Sequence, residues 1–260
     1  MAPTSIDGTE ITGATIDGQD VSEITVDGET VFTAIPDSEA DQKLIHRWAL
    51  SQDSDPFVDE IGSADGTNNG TTQVSGDWIG GAAREGKDTD AYIDTSPLGN
   101  FGSSMDTDFA VAFSFQYQNQ GDRESFFGVL DGNMGLEIGD SIFGDVGKPE
   151  FLLRDNDGGS ISVFTDSTFD DGGEHRCVMN KTGNSETDLE IWIDQQQRNV
   201  SIGGSSAFDS VVNFSRPLYL CANNFDGSVV NAYSGVLDDV CIFNDSLTQS
   251  EIQSYSNPWV

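Results

Sequence analysis

Glu190-Ile-Trp-Ile-Asp194 places two carboxylates four residues apart, with an indole between them. Side chains alternate between the faces of a strand, so Glu190, Trp192 and Asp194 are expected on one side. Two acids beside an aromatic ring have two chemical uses. They can divide acid and base roles at a glycosidic bond. They can also bind a sugar, with the ring as a stacking platform and the carboxylates accepting from hydroxyls. With 45 acids among 260 residues, such pairs also arise by chance. Binding is the better-supported use. Trp78, in a stretch of Gly, Ser and Asp, is a second candidate platform. Asp239 lies in a strand-like run with apolar residues on both sides. A carboxylate buried there needs a partner. Calcium, which prefers carboxylate and carbonyl oxygens, is one candidate, and backbone amides are another. The two histidines, His46 and His175, do not make a zinc cluster. No phosphate loop is present, and no Ser–His–Asp set is supported by its context.

Those side chains need strands to hold them. In residues 108–118, Phe109, Val111, Phe113, Phe115 and Tyr117 share one face, and Ala110, Ala112, Ser114 and Gln116 the other. Further strands are expected at 125–130, 150–154, 160–164, 176–180, 189–194, 217–222 and 235–243. Turn clusters such as Asp155-Asn-Asp-Gly-Gly and Asp170-Asp-Gly-Gly separate them. Regular short strands with turns between them indicate a sandwich. One helix is signalled near the end. Thr248 and Glu251 form a capping box, and Leu247 and Ile252 the matching staple.

Residues 5–34 repeat with a ten-residue period, SIDGTEITGA, TIDGQDVSEI and TVDGETVFTA. Each repeat centres on Asp-Gly, a strong hairpin-turn signal. Such a unit cannot bury an apolar face alone, so it must stack on neighbours, on the main domain or on other copies of the chain. The expected organisation is an N-terminal β repeat over 1–35 for anchoring or oligomerisation, a linker over 36–41, and a main domain over 42–260.

Several segments of the main domain fall into a familiar order. His46-Arg-Trp-Ala-Leu opens it. Asp59-Glu-Ile-Gly-Ser-Ala-Asp-Gly-Thr-Asn-Asn-Gly-Thr and Asp90-Ala-Tyr-Ile-Asp94 follow, then the long strand from Phe109 to Tyr117. Leu237-Asp-Asp-Val-Cys-Ile-Phe-Asn-Asp-Ser-Leu-Thr-Gln-Ser-Glu-Ile closes it. Over about 215 residues this resembles the laminin-G-like, concanavalin A-like jelly-roll family, the closing motif being the most specific piece. The resemblance implies two packed antiparallel sheets that bind glycans or proteins, in some members with a structural calcium ion. It makes Asp59 and the Gly-Asn stretch after it co-ligands for a cation at Asp239. It also implies that the strand carrying Glu190 is structural. Glycoside hydrolases of similar fold carry Glu-x-Asp-x-Glu, and the middle acid is missing here. The chain is therefore read as non-enzymatic.

Net charge is −34, with acids spread along the whole chain. Such self-repulsion opposes compaction in dilute buffer. In molar salt the screening length falls to roughly 3 Å, so the composition reads as an adaptation to brine. Nucleic acid is disfavoured as a partner, since the basic residues are scattered and few. Cys177, Cys221 and Cys241 lie in apolar runs and read as buried thiols, with one bridge left open. The N-terminal residues lack the features of a signal peptide. No stretch approaches the roughly 20 apolar residues of a membrane span.

A brine-adapted surface, a glycan-binding type of fold, an appended repeat and the lack of secretion features converge on one expectation. It is a virion surface protein of a halophilic archaeal virus: a capsid turret, decoration or tail-fibre component. Its partners would be a host surface glycan or S-layer glycoprotein, with other virion proteins held through the N-terminal region. A homo-oligomer, trimer or pentamer, is expected. The alternative is a cell-surface or secreted haloarchaeal carbohydrate-binding module. A glycosidase or lyase is the least favoured.

Overall fold

Alternation in residues 109–117 produces the strand around which the fold is built. Phe109, Val111, Phe113, Phe115 and Tyr117 all enter the hydrophobic core. The opposite face is also buried, at Ala110, Ala112 and Ser114. Small side chains there let other chain segments pack close. The computed structural model describes residues 5–6, 9–10, 15–16, 19–20, 23–26, 29–33, 39–52, 55–75, 82–85, 91–95, 108–117, 123–131, 134–140, 147–155, 159–205 and 217–255.

The chain divides into two compact units, Met1–Gln42 and Lys43–Val260. In the first, β1 (Ser5–Ile6) pairs with β2 (Thr9–Glu10), β3 (Thr15–Ile16) with β4 (Gln19–Asp20), and β5 (Glu23–Val26) with β6 (Glu29–Thr33). Ile6 faces Thr9, Ile16 faces Gln19 and Val26 faces Glu29, so each Asp-Gly pair is spanned by one hairpin. The Asp-Gly residues themselves lie outside the described residues. The expected linker is partly helical, because α1 (Glu39–Lys43) begins within it.

The second unit holds β7 (Leu44–Trp48), β8 (Gly66–Asn69), β9 (Thr72–Ser75), β10 (Ala82–Glu85), β11 (Tyr92–Thr95), β12 (Phe109–Gln116), β13 (Ser125–Asp131), β14 (Met134–Asp140) and β15 (Pro149–Arg154). It continues with β16 (Ser160–Thr165), β17 (Glu174–Lys181), β18 (Leu189–Ile193), β19 (Gln196–Gln197), β20 (Val200–Ser205), β21 (Tyr219–Leu220), β22 (Asn223–Phe225), β23 (Ser228–Val230), β24 (Val236–Phe243) and α2 (Gln249–Tyr255). One sheet runs β19-β18-β17-β12-β24-β10-β9, with β7 also on β24. The other runs β20-β16-β15-β14-β13-β21-β11-β8, with β22 and β23 added beside β13. Pairing is antiparallel except where β22 lies parallel to β13. The chain is thus an all-β, antiparallel jelly-roll sandwich with two short helices. The main core cluster of the described residues, from Trp48 through Phe151 to Ile242, fills the space between the sheets.

The closing helix follows its local code. Glu251 N–H donates to Thr248 Oγ1 at 3.3 Å, and Thr248 N–H donates to Glu251 Oε2 at 2.6 Å. Leu247 and Ile252 are both buried beside it. Lys43 adds an ion pair to Glu251 at 3.0 Å. All three cysteines are buried and unbridged.

Candidate functional site

The sheet that carries β17 and β18 has a polar cluster at one rim. His175, near the start of β17, donates or accepts at both ring nitrogens. Nδ1 lies 2.8 Å from Asp194 Oδ2, and Nε2 lies 3.2 Å from Asp171 Oδ1. Arg176 N–H donates to Asp194 Oδ1 at 3.1 Å. Gly173 N–H donates to Asp171 Oδ1 at 2.7 Å. Arg198 spreads over the Phe169 ring, 5.1 Å from its centroid, and the imidazole meets that ring edge-on. The two carboxylates remain open to solvent while the imidazole is mostly covered.

Charge balance in the rim cluster follows from these contacts. Burial pushes the His175 imidazole toward neutrality, but its bonds to Asp194 and Asp171 outweigh that and raise its pKa above the ordinary value. Burial pushes Asp194 up, yet the bonds from His175 and the Arg176 backbone hold it below the usual carboxylate range. The Gly173 amide and His175 hold Asp171 low as well. The rim therefore offers two ionised acceptors and a guanidinium, laid over the buried Phe169 ring. Both ring nitrogens of His175 are taken by carboxylates, and each carboxylate keeps solvent-facing lone pairs that can accept further hydrogen bonds.

A second cluster sits where β7 meets β24. Asp239 occupies a β-bulge with φ +44° and is 3 % exposed. Arg47 Nε donates to its Oδ1 at 2.8 Å, and Arg176 Nη2 meets its Oδ2 at 2.9 Å. Arg176 Nη1 also donates to the Asp239 carbonyl at 3.0 Å and to Ser114 Oγ at 3.2 Å. Asp59 lies one residue link away through Arg47, whose N–H donates to Asp59 Oδ1. Ile61 and Gly62 N–H share that oxygen. Ala64 N–H and His46 Nδ1 hold Oδ2. Burial pushes the Asp59 carboxyl up, but His46 and the backbone donors more than offset it and leave its pKa lowered. A Cβ at Gly62 would collide with Asp59 Oδ2 and His46 Nδ1, so only glycine fits there.

The sequence profile of the Laminin_G_3 family, described as the concanavalin A-like lectin/glucanases superfamily, matches residues 85–253. The chain belongs to that superfamily. No curated protein matches it significantly in sequence. Among solved structures it is similar to domain 4 of AbnA, an extracellular arabinanase of Geobacillus stearothermophilus solved with arabinotriose. That likeness has 14% identity and a TM-score of 0.59, over 82% of this chain and 98% of that one. It is also similar to the binding domain of Paraclostridial Mosquitocidal Protein 1, at 13% identity and TM-score 0.63, over 84% of this chain and 52% of the other. A third likeness is to botulinum neurotoxin type C, whose cell entry depends on two ganglioside molecules. There identity is 14% and TM-score 0.63, over 84% of this chain and 51% of that one. The chain spans about half the length of these toxin chains.

Within this lectin-type sandwich the expected site residues separate. Glu190, Trp192 and Asp194 do not share a face. β18 ends at Ile193, and Asp194 and Gln195 form a tight turn with φ of +54° and +65°. That turn swings the Asp194 carboxylate onto Arg176 and His175 instead. Trp192 is not an open platform. It is 6 % exposed, and its Nε1–H donates to Glu190 Oε2 at 3.0 Å. Glu190 also accepts from Gln197 and Asn180. Asn180 in turn bonds the Leu247 backbone through both amide atoms, so the segment before α2 covers this end of the face. Trp78 lies outside the described residues.

The cation expected at Asp239 and Asp59 does not fit the donors around them. Calcium needs six to eight oxygen lone pairs directed at one point. Both Asp239 oxygens face guanidinium N–H groups, and both Asp59 oxygens face N–H donors or the His46 ring. Among the described residues no group of three or more His, Cys, Asp or Glu is gathered to hold a metal ion. The arginines were missed in the sequence because they come from distant strands: Arg47 lies 192 positions from Asp239. His175 was visible only as a lone histidine.

Proposed function

We propose that this chain is a glycan-binding surface module without catalytic activity. The rim cluster of Asp171, His175, Asp194 and Arg198 beside Phe169 is its hydroxyl-recognising site. The observation that carries this reading is the pairing of exposed, ionised carboxylates with a guanidinium at one edge of the sandwich. The likeness to an arabinotriose-bound module and to a ganglioside-dependent toxin supports it. The finer reading keeps the module on the surface of a halophilic virion as a turret, decoration or tail-fibre component. Its partner there is a host surface glycan or S-layer glycoprotein. The N-terminal hairpins anchor it and set a trimer or pentamer. The net charge of −34 supports life in brine. The alternative, a cell-surface or secreted haloarchaeal carbohydrate-binding module, is favoured by one observation: the AbnA match covers 98% of a single domain of an extracellular enzyme.

Calorimetric titration of neutral and acidic oligosaccharides in molar NaCl tests the binding reading. Binding is expected, and Asp171→Asn with Asp194→Asn is expected to weaken it at least tenfold. Absence of binding across a broad glycan panel would sink it. Mass spectrometry of purified virions tests the finer reading, and absence of the protein from particles would leave only the cell-surface or secreted module.

A further inference from the structure

We infer that the outer edge of β20 is an interface with a second copy of this chain. The strand Val200–Ser205 closes one side of the larger sheet, pairing only with β16 among the described residues. Its sequence, VSIGGS, has no charge and no proline. Natural edge strands are normally guarded by lysine, proline or inward charges, because an open edge templates pairing with another strand. This one carries instead the most exposed large apolar side chain of the described residues. Ile202 is 54% exposed. It faces Val163 across the ladder, and Val163 is a core residue, so Ile202 stands on the core side of the sheet where the sandwich ends.

Charge distribution selects the occupant. Acids make up 45 of 260 residues, yet residues 195–205, which carry β20 and the turn that leads into it, contain none. Two copies of a chain with net charge −34 repel wherever their acids meet. An acid-poor strip is where they can touch without burying like charges. Interface centres are depleted in charge and bordered by a polar rim. The border is present here. Asp166 accepts from Ser201 Oγ at 2.7 Å, and Asp188, in the short turn packed against β16 and β20, is tied to Ser185. Antiparallel pairing of β20 with its own copy about a two-fold axis satisfies both open edges at once. It joins the two larger sheets and brings the two Ile202 side chains together.

The test uses the full chain in molar NaCl. Light scattering on the parent and on Ile202→Lys is expected to show the mass halved in the variant, whatever copy number the N-terminal hairpins set. Near-UV circular dichroism confirms that the variant keeps its packing. In a second arm, Ile202→Cys is oxidised and run without reductant. Because the native thiols are buried, a disulfide-linked dimer reports the new cysteine. Ile61→Cys is the control, since Ile61 is 52% exposed but lies in an acid-flanked loop. A cross-link at 202 and not at 61 supports the interface. Equal masses for parent and Ile202→Lys, or equal cross-linking at 202 and 61, would overturn it. Neither outcome depends on glycan binding, so this inference and the binding reading fail separately.

Discussion

Two clusters in the same molecule join a histidine to an aspartate, and they have opposite fates. At β7 and β24, His46 bonds Asp59, and Arg47 links Asp59 to Asp239. Every carboxylate oxygen there has an N–H partner, and both acids are buried. At the rim, His175 bonds Asp171 and Asp194, and both carboxylates stay exposed. Residue types are nearly the same. Burial makes the first cluster part of the frame, and exposure leaves the carboxylates of the second in contact with solvent. A charge removed from water must be matched by fixed partners, whereas an exposed one remains solvated.

The largest contrast comes from Arg176→Met. It removes one of two cations from the buried Asp239 carboxylate and leaves three accepted bonds unmade. Breaking one partner of a buried pair costs about 3–5 kcal/mol. Urea unfolding in molar salt should show that loss, while Asp171→Asn should stay within about 0.5 kcal/mol of the parent. Equal effects would mean that the two clusters do not differ as described. Because arginines do the pairing, a chelator should leave the melting temperature unchanged. A drop on chelation would show that a metal ion contributes to the frame.

Next in size is Asp59→Ala. It frees the amides of Arg47, Gly62 and Ala64. Water can reach part of this loop, so the expected loss is about 2 kcal/mol, less than for Arg176→Met.

How far these clusters could be read from the sequence depends on how local their causes are. The capping box at Thr248 and Glu251 and the alternation from Phe109 to Tyr117 depend on neighbours a few positions apart, and both form as expected. The hairpin spacing about each Asp-Gly pair is similarly local. The Glu190–Trp192–Asp194 alternation failed at its last member. Asp194-Gln195 turns with positive φ at both residues and has no glycine or asparagine to announce it. The partners of Asp239 failed for another reason. An arginine that meets it across the sheet has no positional signature in one chain, and an acid between apolar residues looks the same whether its partner is a metal ion or a guanidinium.

Trp192→Phe tests the covered face against the open rim. The substitution keeps most of the ring and loses the Nε1–H bond to Glu190, so about 1 kcal/mol of stability should go. Glycan affinity should not change. Affinity falling tenfold or more would return Trp192 to the binding site and show that the face opens in solution.

The smallest effect is the one that separates the clusters by pH. His175 has a raised pKa, so its contribution is full below the ordinary imidazole value, about 6.5. That contribution is lost as pH rises through the folded value. Asp59 has a lowered pKa. Its contribution is present above the ordinary aspartate value, about 3.9, and is lost as pH falls through the folded one. Asp194 and Asp171 are also lowered and share the acid limb. His175→Gln should therefore flatten the stability profile on the neutral-to-alkaline side, by a few tenths of a kcal/mol at this solvent-screened rim, and should also weaken the part of the acid limb that Asp194 and Asp171 owe to the imidazole. Asp59→Asn should flatten it only on the acid side. Unfolding midpoints measured across the pH range for the parent and both variants decide this. If His175→Gln changed the acid limb and left the alkaline one intact, the imidazole would not be the charged clasp between the two exposed aspartates.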